Sequence, residues 1–129
     1  MSDKTNPYAG MGGSYTVTMG GDTIDGVAVA GIAALADIAL VGPLRGDDLP
    51  APLPLADGRD LERGDDVYLV GFPGETEDDD LEATISSGIV SRLRTLKEFD
   101  QHYIQTDATI AGGQSGGPLF DQRGRLVGI

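Results

Sequence analysis

The chain has 129 residues, no cysteine and a single histidine, with 21 acidic against 9 basic side chains, a formal charge of −12 and a pI near 4.1. That length fits one modest domain or part of a larger one. The composition excludes disulfides, a thiol nucleophile and cysteine-based metal sites, leaves the redox compartment open, and argues against a nucleic-acid partner, which calls for clustered Lys and Arg.

The acidity is lopsided, 16 Asp against 5 Glu, and the bases are 7 Arg against 2 Lys. This bias reads as salt adaptation, in which a hydrated acidic surface keeps the chain soluble while salt screens its self-repulsion. An ordinary acidic protein with a GC-rich coding bias is the plainer alternative. Twenty Gly and seven Pro favour short strands and turns over long helices.

In chain order, residues 1–13 (MSDKTNPYAGMGG) are polar and glycine-rich, read as a flexible tail, and carry no secretory leader pattern. The compartment therefore stays open: cytoplasmic, or exported if residues precede Met1. SYTVTMG alternates as a strand, and GGDTIDG supplies turn residues. VAVAGIAALADIALV is the most apolar segment, too short to span a bilayer and interrupted by Asp37. Its alanines permit a helix, but Gly and Pro flanks without a cap favour two strands joined near Gly31 to Ala36.

PLRGDDLPAPLPLADG, Pro43 to Gly58, can hold neither a helix nor a central strand and reads as a linker. Short strand signals follow, DVYLVGF, ATISSGIVSRL, HYIQTDA, GPLF and RLVGI, with a hairpin turn at Gly124-Arg125 between the last two. Strands at this spacing imply an all-β barrel or sandwich. The acidic run ETEDDDLE, Glu75 to Glu82, reads as a solvated loop; calcium is the lesser alternative, since the glycine-pivoted EF-hand pattern is absent. No metal, nucleotide or other cofactor signal appears.

The segment TIAGGQSGGPLF, Thr109 to Phe120, carries the chemistry. It fits G-x-S-x-G, the strand-to-helix elbow of α/β-hydrolases, but Pro118 denies the helix and no histidine follows Ser115. It also fits G-x-S-G-G-P, in which glycines permit a tight loop whose successive N–H groups point into one cavity.

With its surroundings, YIQTDATIAGGQSGGPLFDQRGRLVGI, ATISSGIVSRL and LPLADGRDLERGDDVYLVGFPG, the segment resembles the trypsin-like serine protease superfamily, and within it the HtrA/Deg-like branch. Upstream, ADIALV resembles the stretch that carries that family's aspartate. The resemblance covers residues 14–129, strongly after Leu53. It implies an all-β, trypsin-like double β-barrel: 14–58 as a partial N-terminal barrel with linker, and 59–129 as a C-terminal barrel lacking its last strands and helix.

It implies Ser115 as nucleophile, Asp37 as the carboxylate that orients a histidine, and an oxyanion hole from the backbone of Gly113, Gln114 and Ser115, with the N–H groups of Gly113 and Ser115 as donors. Gln114 stands where relatives often carry Asn or Asp, and its side chain is not required for the hole. Thr109, Ile110, Ala111 and Gly112 are expected to line the substrate pocket. They bring no carboxylate, so a small or aliphatic side chain is a better guess for the substrate than Arg or Lys.

The family's order is His, Asp, Ser, yet no histidine precedes His102. His102 begins the strand HYIQTDA and reads as an ordinary surface residue. The chain stops at LVGI, before the strand expected to wall the specificity pocket. The expectation is a partial chain of a serine endopeptidase, inactive alone, whose complete form cleaves peptide or unfolded-protein segments; a homo-oligomeric full-length form fits the resemblance. A protease-like binding or regulatory module without chemistry is the alternative. An enzyme completed by a second chain is a third.

Overall fold

The computed structural model describes residues 14–19, 22–33, 36–72 and 82–129. The tail at 1–13 and all but Glu82 of the acidic run 75–82 lie outside these. The chain divides into two compact units, Met1–Ala51 and Pro52–Ile129.

In the first unit, β1 (Tyr15–Met19) pairs antiparallel with β2 (Asp22–Val27), and β3 (Val29–Ala33) with β4 (Ile38–Val41). The two strands expected within Val27 to Val41 are there. GGDTIDG, read as a turn, instead supplies β2: Asp22 to Val27 carry little apolar alternation of their own, and pairing with β1 organises them. Among the described residues of this unit, Val27 is buried.

In the second unit, β5 (Asp66–Gly71), β6 (Thr84–Leu96), β7 (Gln101–Thr106), β8 (Leu119–Asp121) and β9 (Leu126–Gly128) form one antiparallel sheet in the order β7-β6-β5-β8-β9. Pro52 to Gly58 belong to this unit. The Ala56 N–H donates to the Leu126 carbonyl at 2.9 Å, and the Leu126 N–H to the Pro54 carbonyl at 2.8 Å.

Alternation along β5 buries Val67 and Leu69 and turns Asp66 and Tyr68 outward. With Leu61, Val90, Ala108 and Leu119 they form the core, backed by Ile104 and Val127. Val67 and Val90 are fully enclosed, worth roughly 1.5–3 kcal/mol each. The sheet curls: a Cβ built on Gly128 in β9 stands 3.5 Å from Ile104 Cδ1 in β7, so the two ends of the strand order face across one core.

The β8–β9 hairpin is fixed by a buried carboxylate. Asp121 Oδ1 accepts the N–H groups of Arg123 and Arg125, each at 2.9 Å, and Oδ2 accepts Arg125 Nε at 2.8 Å. Gly124 supplies the left-handed residue of this turn (φ 74). Desolvation works to raise the Asp121 pKa, but these hydrogen bonds and the Arg125 charge outweigh it and hold the carboxyl below its ordinary value.

Candidate active site

Between β7 and β8 the chain leaves the sheet for residues 107–118, the stretch that holds Ser115. Its first part is tied to β6. Asp107 Oδ1 accepts the Ile89 N–H at 2.7 Å, and Ser86 Oγ donates to the Thr109 carbonyl at 2.8 Å. Gly88 lies beneath the crossing, where a Cβ would stand 2.8 Å from Ala108 Cα, so only glycine admits it.

Two turns follow back to back. The Gln114 N–H donates to the Ala111 carbonyl at 3.4 Å, and the Gly117 N–H to the Gln114 carbonyl at 2.8 Å. Gly113 (φ 94) and Gly116 (φ 82) each occupy the third position of their turn. Ser115 and Gly112 are not in the left-handed region, so both turns are of type II, which requires positive φ at that position. Ser115 thus sits at the second position of a turn, exposed, with its hydroxyl free of hydrogen bonds to described residues. Among the described residues the N–H groups of Gly113 and Ser115 likewise donate to no protein acceptor.

The second turn rests on β5. The Val70 N–H donates to the Pro118 carbonyl at 3.1 Å, and Gly117 presses so closely on the Val70 carbonyl that a Cβ would overlap it. Gln114 is the buried polar residue of the described loop, at 6% exposure. Its Oε1 accepts the Ala111 N–H at 2.7 Å, and its stem lies over Gly71 of β5. Sequence reading gave this side chain no part; the signal that could have found it is a strand glycine, Gly71, which marks a close approach by another segment.

Of the expected pocket residues, Ile110 is 68% exposed and lines a concavity of about 400 Å³ with Arg94, Leu96, Tyr103, Ile104, Gln105 and Thr106. No carboxylate lines it. Thr109, Ala111 and Gly112 are exposed along the same loop.

Asp37 belongs to the first unit. It closes the turn from β3 into β4 with a left-handed backbone (φ 55), a conformation Asp tolerates better than most residues, and its carboxylate is exposed. His102 stands on β7 opposite Thr95, with Nδ1 3.1 Å from Thr95 Oγ1. It lies beside the β6–β7 turn, four residues or roughly 13 Å of extended strand from Thr106, where the Ser115 loop begins. Among the described residues no cluster of His, Cys, Asp or Glu is arranged to hold a metal, and no helix is long and apolar enough to cross a membrane.

Comparison with known proteins agrees with this geometry. The profile of the trypsin-like peptidase domain matches residues 7–129. Mitochondrial serine protease HTRA2 of Bos taurus is 37% identical over 115 residues, 84% of this chain and 24% of that protein. A probable periplasmic serine endoprotease DegP-like of Halomonas elongata is 41% identical over 85 residues, 64% of this chain and 17% of that protein.

Among solved structures, the HtrA-type protease AlgW with decapeptide superposes with a TM-score of 0.73 at 28% identity, covering 90% of this chain and 34% of that one. Deg5 gives 0.69 at 27% identity, covering 84% and 51%. The chain spans about a quarter of the HTRA2 length. The all-β, trypsin-like fold read from the sequence is the fold of these neighbours, and the chain belongs to the trypsin-like peptidase domain family, alongside HtrA-type serine proteases.

Proposed function

We propose that this domain is the nucleophile-bearing part of a serine endopeptidase. One observation carries the reading: two consecutive type II turns leave the Ser115 hydroxyl and the Gly113 and Ser115 N–H groups exposed together, without protein partners among the described residues. Ser115 Oγ attacks the scissile carbonyl carbon, and its proton passes to an imidazole. The two N–H groups receive the oxyanion, and the imidazolium then protonates the leaving amine. Water enters by the same route and frees the acid product from the acyl-enzyme. Asp37 orients the imidazole and stabilises its charged form.

The substrate is a peptide or unfolded protein segment with a small or aliphatic side chain before the cleaved bond, in keeping with the carboxylate-free concavity at Ile110. His102, engaged with Thr95 at the far end of β7, is not the base. The imidazole therefore comes from outside these residues, and the 129-residue chain alone hydrolyses peptides at no useful rate, because a serine hydroxyl at neutral pH is overwhelmingly protonated. The same observation on His102 favours the second reading, a protease-like module that binds peptides without cleaving them.

A fluorophosphonate probe separates the two. The 129-residue chain should remain unlabelled, whereas the protein expressed with its native flanking coding sequence should label at Ser115 and lose all labelling in Ser115→Ala. Labelling of the short chain would overturn its inactivity alone. A longer protein that stays unlabelled would replace the protease with the binding module.

A further inference from the structure

We infer that Gln114 is the positioning residue of the oxyanion loop. The inference rests on the reading of Ser115 as nucleophile and names a side chain that governs where its oxyanion donors stand. A polar side chain at 6% exposure needs a partner. Gln114 Oε1 finds it in the Ala111 N–H at 2.7 Å. This bond spans Gly112 and Gly113, two glycines whose backbone no side chain restricts. The main-chain bond across the same turn, from the Gln114 N–H to the Ala111 carbonyl, is 3.4 Å long and weak. The side chain is thus the shorter tie, and it sets the plane in which the Gly113 N–H is presented.

Gln114 holds the other turn as well, through its carbonyl and the Gly117 N–H at 2.8 Å. Ser115 lies inside this second turn, directly after Gln114. The stem of Gln114 is in turn fixed by β5: a Cβ built on Gly71 would stand 2.9 Å from Gln114 Cγ and 3.2 Å from Gln114 Cβ. The strand therefore has glycine where the loop needs room. Gln114 touches no reacting atom; it acts through the amides on either side.

Two substitutions test this from opposite directions. Gln114→Met keeps the stem and the volume but removes the acceptor, and Gly71→Ala evicts the stem without touching the loop sequence. In the 129-residue chain, amide hydrogen exchange at Ala111 should accelerate roughly tenfold in both, with Gln114→Glu, which keeps an acceptor oxygen, restoring protection. In the form of the protein that labels at Ser115, both variants should lower kcat about 10- to 100-fold, because a donor misplaced by about 1 Å forfeits that much. KM should stay within about twofold, since ground-state binding is untouched.

Unchanged Ala111 exchange in Gln114→Met overturns the inference, and so does unchanged kcat. A rise in KM with kcat preserved would mean that Gln114 shapes substrate binding instead. Were no form of the protein to label, the proposed function would fall, while Ala111 exchange would still decide whether Gln114 holds the turn.

Discussion

Gly116 and Gly117 are adjacent, yet alanine should act on them through different physics. A Cβ on Gly117 overlaps the Val70 carbonyl oxygen and stands 2.9 Å from the Gln114 carbonyl oxygen. Both neighbours are backbone, so neither can rotate away. Relief requires lifting the loop from β5, at the expense of the Gly117 N–H to Gln114 bond (2.8 Å) and the Val70 N–H to Pro118 bond (3.1 Å). Each bond is worth about 1 kcal/mol net, and the residual crowding costs about 1–3 kcal/mol. Gly117→Ala should therefore destabilise by about 3–5 kcal/mol. Gly116 has φ 82 and open space around it, so Gly116→Ala carries only the left-handed backbone penalty of about 1–2 kcal/mol. Urea unfolding followed by far-UV circular dichroism measures both. The midpoint of Gly117→Ala should lie about 1 M or more below that of Gly116→Ala, with similar slopes. Equal midpoints, or the reverse order, would refute the claim that the loop is seated on Val70.

Acid unfolding should report Asp121. Its folded-state pKa lies below the ordinary 3.8, so its contribution to stability is present above that value and is lost as pH falls through the lower folded pKa. Asp121→Asn should therefore be less stable than the parent near neutral pH and should lose less on acidification, read from urea midpoints between about pH 2 and 6; parallel curves would remove Asp121 from the hairpin's stability. Raising salt from about 0.15 M to 1 M shortens the screening length from about 8 Å to 3 Å. With a charge of −12 the thermal midpoint should rise, and a flat or falling response would discard the salt-adapted reading. Ser115→Ala changes an exposed turn residue and should shift stability by no more than about 0.5 kcal/mol in urea melts; a larger loss would make the serine structural.

The second unit was legible because its strands carry their own pattern. Val67 and Leu69 alternate with Asp66 and Tyr68, and Gly124 marks the hairpin turn where the structure has φ 74. GGDTIDG was not legible: a segment made of turn residues becomes β2 by pairing with the adjacent β1, and its own residues lack the apolar alternation that marks a strand. The glycine loop stood out by its spacing, and the nucleophile role of Ser115 was implied by the resemblance to the family. What holds it did not show, because Gln114, Gly71, Gly88 and Asp107 meet only after β5, β6 and the loop are stacked. Asp37 stood out through resemblance to a family; an aspartate beside an apolar run carries no chemical signal of its own.

On the proposed reading of Ser115, this arrangement separates two parts of catalysis that are usually lost together. The described hydrogen bonds of the Ser115 loop come from Val70, Ser86, Ile89, Thr106 and the loop itself, all within the Pro52–Ile129 unit. Neither His102 nor Asp37 supplies one. If Ser115 is the nucleophile, its oxyanion donors owe their geometry to packing that is indifferent to the base, whereas its reactivity depends on the base entirely. Removing the imidazole from such a site abolishes nucleophilic attack but leaves the preorganised amides aimed where negative charge develops, the part of the machinery that retains residual rate enhancement when triad members are deleted. On the proposed reading the loop would act as a preformed anion receptor to which a proton acceptor is added, its integrity set by Gln114 and Gly117.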